Sequence, residues 1–216
     1  MAKLAASPNP RAQRTRQALL DAGLDLLADR PIDAIAIDEV VLRAGVAKGS
    51  FFNHFADKPA FADAISRVVR AEVEALVARV NDGVADPLER LAGGMIAAAL
   101  FALAQPRRAA VLLRTASRMT PSDHPINRGL RADLEAAADR DLIDRATLAD
   151  AVDFWLTCCQ AVLSLVVETA ATPATARSRV GGLLRLGLRG LGARTGDVTR
   201  VSDPAALDRR FTAAAL

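Results

Sequence analysis

Residues 36–55 read AIDEVVLRAGVAKGSFFNHF, and this segment determines how the rest of the chain is interpreted. Two short pieces with helical apolar spacing, about 37–44 and 48–54, lie on either side of Gly45. Glycine adopts the left-handed backbone conformation that commonly ends a helix. The pattern therefore predicts two short helices joined by a tight turn, which is a helix-turn-helix.

The second short helix has two faces of different chemistry. Phe51 and Phe55 are spaced to pack inward, whereas Lys48, Ser50 and Asn53 point the other way. Cationic and amide side chains on an exposed helix can reach base edges and phosphates in the major groove of DNA. This face is therefore a candidate DNA-reading surface.

The segment resembles the DNA-binding domain of the tetracycline-repressor-like (TetR) family within about residues 11–61. The residues that carry the resemblance are Arg14 to Ala18, Asp38-Glu39-Val40, Ala44-Gly45-Val46, Lys48-Gly49-Ser50, and His54-Phe55 followed by Lys58. The resemblance implies a homodimeric transcriptional regulator, most commonly a repressor, that binds a palindromic double-stranded DNA operator. The DNA contacts it implies are Arg14, Arg43, Lys48, Gly49, Ser50, Phe52, Asn53, His54 and Lys58.

Four positions depart from the family pattern, and one of them is Pro59, which replaces a common acid. Ala36 and Ala47 stand where the family usually has Thr and Ser, and Phe52 stands where it usually has Tyr. Losing a helix cap costs about 1 kcal/mol, and Phe52 lacks a hydroxyl for a phosphate. These departures leave open an alternative: a helical interaction or adaptor protein whose helix-turn-helix does not bind DNA. Salt-dependent DNA affinity separates the two hypotheses.

The composition and the positions of helix-breaking residues predict an all-α chain of about nine helices. Apolar residues make up 51% of the 216 positions, aromatic residues only 4%, and Val and Ile form no alternating runs. We expect a disordered N-terminal tail, a three-helix head, a helical effector-binding and dimerisation body, and a C-terminal tail. Their predicted ranges are 1–9, 10–60, 61–193 and 194–216, with body helices at about 57–80, 87–104, 106–118, 126–140, 147–171 and 174–193.

The last two body helices are candidates for the dimer interface. Residues 147–171 are apolar nearly all round, and the helix predicted at about 174–193 carries Gly181, Gly182, Gly187 and Gly190, which permit close helix packing. By resemblance we expect a two-fold four-helix interface, with a purely intrachain core as the alternative. The residues proposed for it are Phe154, Val162, Leu165, Leu183, Leu184, Gly187, Leu188 and Leu191.

The resemblance also implies a small, apolar effector bound in the body. The candidate lining residues are Met95, Phe101, Leu113, Met119, Phe154, Trp155 and Cys158, with Arg114, His124 and Gln160 as polar partners. Ordinary core packing is the alternative for each apolar residue. The Arg-rich region near the C-terminus, residues 177–200, is interpreted as a solvated helix face or a phosphate contact.

The sequence lacks the motifs that are typical of secreted proteins, membrane proteins and enzymes. No signal peptide or uninterrupted membrane span is evident, and Cys158 and Cys159 are neighbours that cannot staple the chain, so we expect a cytoplasmic protein. Hydrolase, nucleotide-binding and zinc-protease motifs are missing, and Ser122, Asp123 and His124 are sequential rather than a spatial triad. The sequence therefore predicts no enzyme, no metal site and no cofactor.

Overall fold

The structure, a computed structural model, describes residues 9–115 and 124–214. This part of the chain contains eleven α-helices and no strand, so the predicted all-α class is confirmed. Residues 1–8 of the predicted tail and Met119 lie outside the described residues. The helices are α1 (Pro10–Asp29), α2 (Ile37–Ala44), α3 (Lys48–Phe52), α4 (Lys58–Val80), α5 (Pro87–Ala104), α6 (Pro106–Thr115), α7 (Arg128–Asp139), α8 (Leu148–Glu168), α9 (Pro173–Gly190), α10 (Thr195–Val201) and α11 (Pro204–Ala214).

Side-chain caps fix the starts of three long helices where the sequence predicts them. The Asn9 side chain accepts a hydrogen bond from the Arg11 backbone N–H at 3.0 Å, at the start of α1. Asp57 and Asp86 do the same for α4 and α5, at 2.7 and 2.8 Å. In each helix a proline occupies the first turn, where its missing N–H costs nothing.

The head consists of α1, α2, α3 and the first turns of α4 around three aromatic rings. Phe51, Phe55 and Phe61 are all buried, with ring centroids 5.1 Å apart for Phe51 and Phe61 and 4.8 Å for Phe55 and Phe61. Since α4 supplies Phe61 and then continues into the body, one continuous helix joins the head to the body.

The body is built around α5. Its buried residues include Leu91, Met95 and Ile96, and α4, α6, α7, α8 and α9 pack around it. By length and composition alone, α5 and residues 145–168, which contain α8, could cross a membrane. In α5, 67% of the 18-residue apolar stretch is buried, as in the core helix of a globular fold. In the stretch that contains α8, only 33% is buried.

The C-terminal region differs from the expectation of a tail with at most one short helix. Both α10 and α11 form, and they bury Val198, Val201, Leu207 and Phe211 against the body. Arg210 of α11 donates hydrogen bonds to the Glu89 backbone oxygen and to the Asn81 side chain. Residues 195–214 therefore belong to the body, because their spaced apolar residues complete its core.

Candidate nucleic-acid interface and effector cavity

The turn between α2 and α3 has the predicted geometry. Gly45 ends α2 with φ +65°, and the Val46 N–H donates to the Val41 carbonyl oxygen at 3.0 Å. Ala36 and Ala47 precede α2 and α3 without a side-chain cap, as the sequence departures predict. Two features hold α3 in position: the backbone hydrogen bonds of the turn and the buried side chain of Phe51.

The outward face of α3 carries the side chains predicted to read DNA. Lys48, Gly49 and Asn53 are exposed, and Ser50 is half-buried. A Cβ atom at Gly49 would meet nothing within 4 Å, so another molecule can approach the backbone closely there. Phe52 is 54% exposed, while Phe51 beside it is fully buried. The helix ends at Phe52, with Asn53 as its C-cap, rather than at residue 54.

The remaining predicted contacts surround α3 on other elements. Arg14 is exposed on α1, and Arg43 lies 3.9 Å from Asp25. His54 is half-buried, with its ring centroid 6.3 Å from that of Phe55. Lys58 Nζ donates to the Asp33 backbone oxygen at 3.1 Å, which holds the amine beside the head.

Two residues near this surface have no counterpart among the predicted contacts. The Arg16 guanidinium lies 5.4 Å from the Phe55 ring centroid, a cation–π geometry. Leu42 of α2 is 82% exposed. Phe55 is distant in sequence from Arg16, so no local pattern signals their contact; Leu42 could have been found from its position opposite Val40 and Val41 on α2.

A cavity of about 660 Å³ lies in the body between α4, α5, α6, α7 and α8. Of the six predicted lining residues that the structure describes, only Trp155 lines it. Met95 and Phe101 are buried in the core instead, and Leu113, Phe154 and Cys158 lie outside the lining. Their apolar character does not tell which of them border a void, and Phe154 is exposed on the surface.

The predicted polar partners divide in the same way. Gln160 lines the cavity. The Arg114 guanidinium instead donates to the Ala28 carbonyl oxygen at the end of α1, and His124 Nδ1 accepts from the Ile126 N–H at 3.2 Å. The structure adds two charged lining residues from α4, Arg70 and Glu74, which the sequence analysis does not identify.

These two charges form a partly desolvated polar wall. Arg70 donates to Asn127 Oδ1 at 2.9 Å, and burial lowers the pKa of its guanidinium. Burial raises the pKa of the Glu74 carboxyl, an effect that attraction to Arg70 partly offsets. Burial also raises the pKa of the Cys159 thiol to about 12, so the cavity holds it as a neutral group.

An apolar face on α8 and α9 remains uncovered. Phe154 is 39% and Leu186 is 68% exposed, with Leu165 and Leu183 half-buried. The Phe154 ring would lie 3.0 Å from a Cβ atom at Gly190, so this glycine permits close contact between the two helices. The other residues predicted for the interface are buried within the chain: Val162, Leu184, Gly187, Leu188 and Leu191.

Helix α6 connects the cavity to the head. Leu112 and Thr115 line the cavity from one side of this helix. Arg107 Nη1 lies 2.8 Å from Asp29 Oδ1 of α1, and Arg108 forms an ion pair with Glu72 of α4. A movement of α6 at the cavity would therefore act on α1 and α4 directly, through these ion pairs.

Comparisons with known proteins agree with the geometry of the head. Residues 19–65 match the family model described as bacterial regulatory proteins, tetR family. The uncharacterized HTH-type transcriptional regulator YwcC of Bacillus subtilis (strain 168) is 37% identical over 49 residues, 23% of this chain. That match spans 22% of the length of YwcC, so the similarity in sequence is confined to a short region.

Solved structures resemble the whole fold. A tetR family transcription regulator from Shewanella sp. PV-4 superposes with a TM-score of 0.70 and 17% identity, covering 82% of this chain and 97% of that one. RolR in complex with resorcinol superposes with a TM-score of 0.59 and 18% identity, covering 89% of this chain and 95% of RolR. At these identities the likeness concerns the fold.

Proposed function

We propose that the chain is a transcriptional regulator of the tetR family and that it binds a palindromic operator as a homodimer in the cytoplasm. It represses transcription until a small, largely apolar effector enters the body cavity. One observation carries the proposal: α3 presents exposed polar, cationic and small residues on a frame of buried phenylalanines.

The side chains on and around α3 divide into two roles. Asn53 and Ser50 contact base edges, since amide and hydroxyl groups match the donors and acceptors of the major groove. Lys58, His54 and Arg14 contact phosphates, which sets position rather than sequence preference. Lys48 pairs with Asp38 at 2.7 Å, but both side chains are more than 60% exposed. Such a surface pair contributes little stability, so a phosphate can replace it.

Dimerisation follows from the small size of α3 and from the uncovered face on α8 and α9. A recognition helix of five residues makes few contacts, whereas two of them on a two-fold axis read half-sites about 34–36 Å apart. Phe154, Leu165, Leu183 and Leu186 supply an apolar patch of the kind that subunit interfaces cover. We propose this patch as the contact between protomers.

Effector control follows from the helices that the cavity shares with the head. α4 lines the cavity with Val73 and Val77 and starts at Lys58 beside the recognition helix. A ligand that binds one arrangement of α4 and α6 more tightly than another shifts the spacing of the two heads. RolR, a protein of similar fold, has been solved with resorcinol bound, which supports a ligand-responsive body.

The experiment that tests this function is selection of bound duplexes from a random pool, followed by titration of the enriched sequence at several salt concentrations. We expect a palindrome for which the logarithm of the affinity falls linearly with the logarithm of the salt concentration, because counterions are released from phosphates. Failure to retain any duplex at low salt would favour the helical adaptor instead.

A further inference from the structure

The polar wall of the cavity contains one acid without a hydrogen-bond partner. Glu74 is half-buried on α4 and lines the cavity. Its carboxylate forms no hydrogen bond or ion pair within residues 9–115 and 124–214, although Arg70, one turn earlier, attracts it. A partly desolvated carboxylate that lacks a donor is an unfavourable arrangement, which a ligand could relieve.

Of the other charged residues that line the cavity, Arg70, Arg90 and Asp133 already have protein partners, and Asp82 is exposed to solvent. Arg90 Nε lies 2.5 Å from Asp133 Oδ1, and Arg90 also donates to the Val84 carbonyl oxygen. Arg70 donates to Asn127. Because these cations are engaged, an anionic ligand would have to displace existing contacts, whereas a cation could approach Glu74 directly.

The rest of the wall suits an apolar body attached to such a cation. Val73, Val77, Leu112, Leu156 and Leu163 line the cavity. The Trp155 indole N–H donates to the Leu91 carbonyl oxygen at 3.2 Å, so its donor is already engaged and the ring adds apolar surface to the lining. Indole rings attract cations over their faces.

We propose that the effector is a cationic amphiphile: an apolar body that carries one protonated amine, with the amine bound to the Glu74 carboxylate beside Trp155. The inference rests on the proposed function, because it names the chemistry of the molecule that occupies the regulatory cavity. Binding involves no covalent step.

Trp155 supplies a direct measurement of occupancy. It is the only tryptophan of the chain and it lines the cavity. Three probes share one alkyl chain and differ in the head group: octylamine, octan-1-ol and octanoate. We expect octylamine, detected through the change in Trp155 emission, to bind with an affinity at least about tenfold higher than octan-1-ol. The reason is that a hydrogen bond between charged groups is stronger than one that involves a neutral group. Octanoate should bind weakest.

The Glu74→Gln variant tests whether this carboxylate is responsible. We expect it to lose the preference for octylamine over octan-1-ol while keeping its affinity for octan-1-ol. Glu135→Gln is the matched control, since this glutamate is exposed on α7 and does not line the cavity. It should keep the full preference, and helical circular dichroism shows that both variants are folded.

Three results would overturn the inference. They are no octylamine binding, tighter binding of octanoate than of octylamine, and an unchanged amine preference in a folded Glu74→Gln variant. The proposed function fails on a different measurement. A chain that binds operator DNA without amine preference refutes only the ligand class, and a chain that prefers amines but binds no DNA refutes the regulator.

Discussion

The candidate recognition surface around α3 and the body cavity draw their residues from stretches of the chain of very different length. The surface around α3 comes chiefly from one segment of twenty residues, 36–55, whose side chains diverge outward from three buried rings. The cavity takes its lining from positions between Ser66 and Leu163, whose side chains converge on a space. Local sequence therefore specifies the surface, whereas only the packing of five helices specifies the cavity.

Removing a ring from the head gives the largest expected effect on stability. Phe51 is fully buried, and Phe51→Ala should lower the free energy of unfolding by about 3–5 kcal/mol. Its exposed neighbour supplies the matched control: Phe52→Ala should change stability by about 0.5 kcal/mol at most. Denaturant unfolding measures both. Equal losses for the two variants would show that the head is not organised around Phe51.

Replacing a glycine by alanine should change stability in opposite directions in the head, at Gly23, and at the cavity, at Gly94. A Cβ atom at Gly23 of α1 would collide with Phe61 and lie 2.6 Å from Ile65 Cδ1, and both side chains are buried. Gly23→Ala should therefore destabilise the protein by about 1–3 kcal/mol.

At the cavity, Gly94→Ala tests for free space. The new methyl would lie 3.8 Å from Cys159 Sγ and 4.0 Å from Trp155 Nε1, which is ordinary contact. We expect stabilisation by about 0.4–1 kcal/mol, since alanine restricts the unfolded chain and favours the helix. Thermal unfolding of Gly23→Ala and Gly94→Ala side by side checks the contrast, and destabilisation by Gly94→Ala would mean that no room exists there.

The same contrast explains what the sequence could predict. The bounds of α2 and the left-handed Gly45 follow from apolar spacing and a single glycine, so they are predictable locally. Arg70 and Glu74 are opposite charges four residues apart, a pattern typical of a solvent-facing helix surface. Their place in the cavity depends on α5 and α6 packing against α4 and on α7 and α8 supplying the other walls, which no local pattern encodes.

The face proposed for dimerisation shows a second limit of sequence patterns. An apolar residue on α8 or α9 is expected to be buried, but apolarity does not tell whether its partner is in the same chain. Leu184 and Leu188 are completely buried within the protomer, whereas Leu186 between them is exposed. The outward face becomes visible only once α5 is seen to occupy the inner one.

Within the recognition surface, Lys58→Ala and Asn53→Ala should weaken DNA binding in different ways. Loss of a phosphate contact at Lys58 should lower affinity for all duplexes and reduce the salt slope by about 1. Loss of a base contact at Asn53 should cost about 1–3 kcal/mol at particular operator positions only. Anisotropy titrations on single-base operator variants separate them; identical profiles for the two variants would refute the division of roles.

The smallest expected effect is a pH dependence at the cavity. Burial raises the pKa of Glu74 in the folded chain, so the folded state holds this proton more tightly than the unfolded state. The resulting stabilisation is present below the ordinary glutamate pKa and disappears as the pH rises through the raised value. The Tm of Glu74→Gln should therefore improve relative to wild type between acidic and neutral pH, whereas Glu135→Gln should show no such trend.

Hydroxyl-radical footprinting of the selected duplex, with the number of bound chains counted by sedimentation, tests the central claim most directly. We expect two protected patches about 34–36 Å apart on one face of the duplex, with two protomers bound, because each α3 enters a successive major groove. A single protected patch, or one chain bound per site, would contradict the account.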